Sequence, residues 1–254
     1  MQPAYEDIAL SELTIWRHKM LQSPSLLNKV AQKMQHKMNS IIPEKIHKVI
    51  TATIKQMIRV TLFGAGKTTR VQLAYTTLAQ KEAIVRERIK FYQKAAAAEG
   101  GVTGAGGFLL GLADFPLLLG LKIKMLFEIA AIYGYPLDDY RERIYLLHIF
   151  QLAFSSQEQR RQVYLQMVNW QEKRKTLPED IHQFNWRTFQ QEYRDYIDLA
   201  KMAQLIPVIG APVGAVVNYR LINKLGNTAM NAYRMRWQEE LTTSNRPQLP
   251  PQAP

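Results

Sequence analysis

The sequence predicts an all-α fold, a multi-helix bundle of about ten helices with two glycine-rich apolar helical hairpins. Apolar residues recur at helical spacing along most of the chain, and caps and stops divide it into helix-sized segments. The alternation expected of half-buried strands is nearly absent. The third observation is the stretch 95–134, AAAAEGGVTGAGGFLLGLADFPLLLGLKIKMLFEIAAIYG, in which seven glycines fall between Gly100 and Gly120. A glycine in a helix interior costs about 0.8–1.0 kcal/mol against alanine, so several together require a packing return or a break.

Close packing supplies that return. Gly100/Gly104 and Gly107/Gly111 are small-xxx-small pairs, which let another helix approach the bare backbone. Pro116 lacks an N–H and disfavours helix at the residue before it. A break is therefore expected at Ala113-Asp114-Phe115-Pro116, with Asp114 capping a helix that begins near Phe115. A functional acid is the other role for Asp114. As a buried carboxylate it would need a partner, and Arg141 or Arg143 from the next helix is expected ahead of Lys122 or Lys124.

A simple membrane span does not fit the same stretch. Ten Val, Leu and Phe residues over 102–121 favour insertion by roughly 3–6 kcal/mol, and a central acid returns about 2.5–3.5. Glycines and proline remove the remainder. The sequence leaves open whether the hairpins are buried in the core or enter the membrane as a shallow re-entrant pair.

The chain has 254 residues, 47% of them apolar, which is ample for a core. A single helical domain is expected over 1–242, followed by a Pro-rich disordered tail at 243–254. The N-terminus MQPAYEDIAL carries no secretory signal, so a cytoplasmic location is expected. Without cysteine, disulfides and thiol catalysis are excluded. The net charge of +12 is uneven: between Glu12 and Glu82 the only acid is Glu44, against twelve Lys and Arg residues.

In order, helices are expected over 5–22, 25–41 and 44–63, the third opened by Pro43. On the third, Ile46, Ile50, Ile54, Met57 and Ile58 line one face and Lys45, Lys48, Lys55 and Arg59 another. Lys29, Lys33 and Lys37 repeat the basic row on the helix before it. Such rows are either solvated outer faces or contacts for anionic headgroups, with nucleic acid a third reading. GAGKTT at 64–69 matches the end of a phosphate-binding loop, but Thr61 stands where its first glycine belongs. The isoleucine periodicity makes the segment before it a helix, not a strand.

A long helix is expected over 70–99 and another over 115–133, stopped by Gly134 and Pro136. Asp138-Asp139 opens the next, where the helix dipole favours negative charge. Ser155-Ser156-Gln157-Glu158 reads as a capping box for a helix reaching about residue 175. Asn185 is placed to cap a helix over 186–205. The segment 205–226 repeats the glycine theme with Gly210/Gly214, broken by Pro207 and Pro212, and a last helix is expected over 234–241.

No catalytic constellation emerges. The histidines His18, His36, His47, His148 and His182 lack metal-ligand spacing. His148, in an apolar helix, reads as a core or interface residue. No cofactor is expected.

AEGGVTGAGGFLLGLADFPLLLGLKIK at 98–124, the Tyr133-Gly134 stop and RERIYLLHIFQLAF at 141–154 resemble the EcsC family. IPEKIH at 42–47 and IPVIGAPVGAVVNYRL at 206–221 belong to the same resemblance, which covers roughly 5–240. The family takes its name from a bacterial operon encoding an ABC transporter. The resemblance thus implies a bacterial protein associated with membranes or transport, whose partner is an anionic membrane surface or a membrane protein such as an ABC transporter. It brings no catalytic residues. The expected function is a non-enzymatic helical protein at the cytoplasmic membrane face. The alternatives are a hydrolase or NTPase using Asp114 or Lys67, and a nucleic-acid binder through the basic N-terminal helices, which is the least favoured.

Overall fold

The computed structural model describes residues 4–22, 44–63, 77–105, 107–135, 137–197 and 211–244. Among these residues the regular structure is helical: nine α-helices, two short 3-10 turns and one isolated bridge between Ser155 and Ile197. The expected helix over 25–41, the GAGKTT segment and residues 245–254 of the expected tail lie outside the described residues, while Thr243 and Ser244 belong to the last helix and not to the tail.

Helix α1 (Tyr5–Leu21) buries Ala9, Leu13 and Met20. Helix α2 (Glu44–Phe63) has the bounds that the periodicity predicts, and Ile50, Ile54, Met57 and Ile58 are buried along it. No strand precedes GAGKTT, because α2 is helical to Phe63. A phosphate-binding loop on a βαβ scaffold would need a strand in that place.

Helix α3 (Leu78–Ala105) opens on a capping box that the sequence reading passed over. The Thr77 N–H donates to Gln80 Oε1 at 3.0 Å, and the Gln80 N–H donates to Thr77 Oγ1 at 3.3 Å. Helix α4 (Gly107–Tyr133) follows, and it corrects the expected break at Asp114. Pro116 lies inside a continuous helix. Proline at such a site costs about 3 kcal/mol. The offset is visible in Phe115, Leu118 and Leu119 beside it, all buried in the core. The hairpin changes direction between Ala105 and Gly107 instead, within the glycine run. At its far end α4 stops as expected: Gly134 has φ +96°, and its N–H and that of Tyr135 both donate to Ala130 O.

Asp139 caps α5 (Tyr140–Phe154), its carboxylate accepting the Arg141 N–H at 2.9 Å. The capping box of α6 (Gln157–Met167) lies one residue later than read: Ser156 caps it and pairs with Gln159. The single helix expected to residue 175 is broken at Val168 and Asn169. Asn169 has φ 54°, a left-handed conformation that asparagine tolerates. Helix α7 (Trp170–Lys173) and the 3-10 turn Arg174–Thr176 follow. Asn185 caps α8 (Trp186–Tyr196) as predicted, accepting the Thr188 N–H at 3.2 Å.

Helix α9 (Ala211–Ser244) is one helix of 34 residues where the sequence suggested two. Pro212 is its second residue, a position without an intrahelical N–H partner to lose. It runs antiparallel along α3. Arg234 meets Glu82, and Gly226 meets Ile89. Continuing that register sets Gly100 and Gly104 level with the first turns of α9. Helix α4 is antiparallel to α3 and parallel to α9, with Lys122 meeting Asn218 and Tyr133 stacked on Tyr233. The glycine-rich ends of α3, α4 and α9 thus lie at one end of this three-helix unit. Helices α1 and α5 pack against its other faces.

Candidate functional site

The buried isoleucine face of α2 fixes which residues point outward. Lys48, Lys55 and Arg59 are all exposed, at i, i+7 and i+11 along the helix. Lys48 pairs with Glu44 at 2.9 Å, an exposed i,i+4 contact that contributes little. Lys55 and Arg59 pair with no carboxylate among the described residues. The side chain of Lys45 lies outside them. Two large apolar side chains share this surface, Val60 at 54% exposure and Phe63 at 40%. Leu117, on α4, is 53% exposed.

Between α2 and α4 runs an apolar groove of about 330 Å³, floored by Met57, Leu119, Ile123 and Phe127. Gly120 lines it, and a Cβ built there would meet no atom within 4 Å. Lys124 is exposed at its edge.

Asp114 is half-buried in the interior of α4, not at a helix N-terminus where it could act as the expected cap. Among the described residues no hydrogen bond or ion pair joins it to Arg141, Arg143, Lys122 or Lys124. Those cations are occupied elsewhere or exposed. The Arg141 guanidinium holds Asp139 at 3.0 Å, which keeps the Asp139 carboxyl below its ordinary range against the opposing effect of burial. Arg143 donates to the carbonyls of Leu137, Leu62 and Asp138, so it ties the end of α2 to the α4–α5 turn. Gly100 and Gly104 fall in the last turns of α3, Gly107 and Gly111 in the first turns of α4, and Gly214 in the first turn of α9. Gly210 lies outside the described residues.

The close-packing glycine that sequence reasoning missed is Gly226. A Cβ there would lie 2.6 Å from Ile89 Cδ1 and Cγ1, so the α3–α9 contact depends on its bare backbone. No pair spacing announces it.

Two further groups have strongly perturbed surroundings. Lys122 has no exposure; its Nζ donates to Leu118 O at 3.1 Å and Asn218 Oδ1 at 3.3 Å. Burial lowers its pKa to about 7. His148 borders a second cavity of about 330 Å³ with Trp170, Phe189, Lys173 and Glu192. Gln151 Nε2 donates to Tyr193 O, which turns Gln151 Oε1 toward His148 Nδ1 at 3.2 Å. Nδ1 therefore carries the proton. Burial pushes this imidazole down to about 4, so it is neutral at physiological pH.

No group of three or more His, Asp or Glu residues able to hold a metal occurs among the described residues. None of their helices is long and apolar enough to cross a membrane. The exposed cationic face of α2 lies beside the apolar groove.

The EcsC protein family profile matches residues 7–237. Protein EcsC of Bacillus subtilis (strain 168) is 42% identical over 230 residues, 90% of this chain and 94% of that protein. Protein YdbA of the same strain is 32% identical over 144 residues, 56% of this chain and 52% of that protein. No solved structure matches.

Proposed function

Because the chain belongs to the EcsC protein family, we propose that it is a helical protein that works at the inner face of the cell membrane without crossing it. Its partner is the anionic membrane surface, reached through the outward face of α2. One observation carries this reading: Lys55 and Arg59, free of carboxylate partners among the described residues, share an exposed surface with Val60 and Phe63. Cations that draw a surface to anionic lipid, beside apolar side chains that enter the headgroup boundary, are the two components of interfacial binding. Each cation near such a surface contributes about 1 kcal/mol, falling off within roughly 8–10 Å. A handful of contacts therefore gives reversible attachment, suited to an accessory of a membrane complex such as an ABC-type transporter.

The test is co-sedimentation with vesicles. The protein is expected to bind vesicles containing anionic lipid, to leave neutral ones in solution, and to be released by high salt. Lys55→Glu with Arg59→Glu is expected to lower anionic-vesicle binding by about tenfold or more. Binding that ignores both salt and these reversals would sink the reading.

A further inference from the structure

We propose that the groove between α2 and α4 holds one acyl chain of an anionic membrane lipid, with Lys124 at its mouth meeting the headgroup. This rests on the reading of α2 as a membrane-facing helix and adds a lipid-binding site to it.

The groove is built for a chain. Met57, Leu119, Ile123 and Phe127 make an apolar wall, and no acidic residue lines it. At about 330 Å³ it lies at the small end of ligand pockets, which suits a single chain rather than a bulky ring system. Gly120 is exposed at its rim, where a Cβ would meet no neighbouring side chain within 4 Å. In a helix interior glycine is the costly choice, so the opening is maintained against local propensity. Each methylene taken from water favours binding roughly fourfold.

Charge selects the occupant. Lys124 is exposed at the edge of the groove, and among the described residues it pairs with no carboxylate. Lys55 and Arg59 are not among the residues that line the groove. A phosphate or carboxylate head with one inserted tail fits this arrangement. An acidic or neutral apolar peptide would need a longer trough than one holding a single chain.

Gly120→Phe tests the site, since its ring fills the space that the chain would take. The probe is a fluorescent fatty acid held below its micelle concentration, so no bilayer is present. The wild type is expected to bind it, and Gly120→Phe to lose at least about tenfold in affinity. Its melting temperature should be equal or higher, because a side chain replaces a helical glycine. If Gly120→Phe does not fold, Gly120→Leu serves the same comparison. Lys124→Gln should weaken the fatty acid about fivefold and leave a fatty alcohol of the same length unchanged. Wild-type protein that binds no fatty acid, or a folded Gly120 variant that binds as well as wild type, overturns the proposal. So does a Gly120 variant that changes only the oligomeric state, which would make the groove a self-association face. Lys55→Glu with Arg59→Glu separates this site from the surface reading. Those changes should release the protein from vesicles while leaving fatty-acid binding within about twofold.

Discussion

The Lys122 ammonium is fully buried and donates to the Leu118 carbonyl and to Asn218 Oδ1, and among the described residues it pairs with no carboxylate. Its folded pKa of about 7 lies well below its ordinary 10.5. Between those values the unfolded chain holds a proton that the folded chain lacks, so stability rises with pH across the window. Below about 7 both states are protonated and the full penalty applies. Lys122→Met, close in volume and without charge, is expected to raise stability by about 1–3 kcal/mol at neutral pH. The gain should shrink toward zero as pH climbs to about 10. Urea unfolding of both proteins across this range checks it, and a gain independent of pH would show that the charge is not the cause. The cations Lys48, Lys55 and Arg59 of α2 are instead exposed.

The contact of α3 with α9 turns on a small residue. An alanine at position 226 would set its Cβ 2.6 Å from Ile89 Cδ1 and Cγ1 and 3.1 Å from Cγ2, and a β-branched side chain in a helix has little freedom to move away. Gly226→Ala is expected to cost about 1–3 kcal/mol despite its better helix propensity. In an Ile89→Ala background the same change should cost nothing or stabilise; equal cost in both backgrounds would place the strain elsewhere. Nothing in the sequence distinguishes Gly226 from other helical glycines. What was legible was local. The isoleucine spacing gave the bounds of α2, Gly134 and Asp139 gave a stop and a start, and Asn185 gave a cap. Local rules failed where packing outweighed them. Pro116 is carried within α4 because its neighbours are buried, and α9 runs unbroken from Ala211 to Ser244 where the sequence suggested two helices. The candidate site divides in the same way. The row Lys48, Lys55 and Arg59 follows from helical spacing alone, whereas the groove is a gap between two helices. Gly120 looked like one more member of the glycine run until α2 was placed beside it.

At the scale of the molecule, α9 is held from two sides by arginines two residues apart. Helical geometry turns Arg234 and Arg236 to nearly opposite faces. Arg234 forks onto the buried Glu82 of α3 through Nε and Nη2, both at 2.6 Å, and reaches Glu12 of α1 at 2.7 Å. Arg236 engages Glu142 of α5 and lies over the Tyr135 ring at 3.7 Å. Arg174, beyond α7, joins Glu142 at 2.9 Å. These pairs link helices from the N-terminal and C-terminal parts of the sequence. Such a pair need not exceed an apolar contact in net stability, but breaking it leaves an uncompensated charge. Glu82 has no exposure, and the hydroxyls of Tyr5 and Tyr133 also donate to it. Arg234→Leu alone is therefore expected to cost about 3–5 kcal/mol, as is Glu82→Leu. The double variant removes both charges and should cost less than the two single losses together, with a coupling of about 2–3 kcal/mol. Denaturant unfolding of the four proteins measures that coupling. Simple additivity would mean that α3 and α9 are joined by their apolar faces alone, and that these arginines serve solubility rather than register.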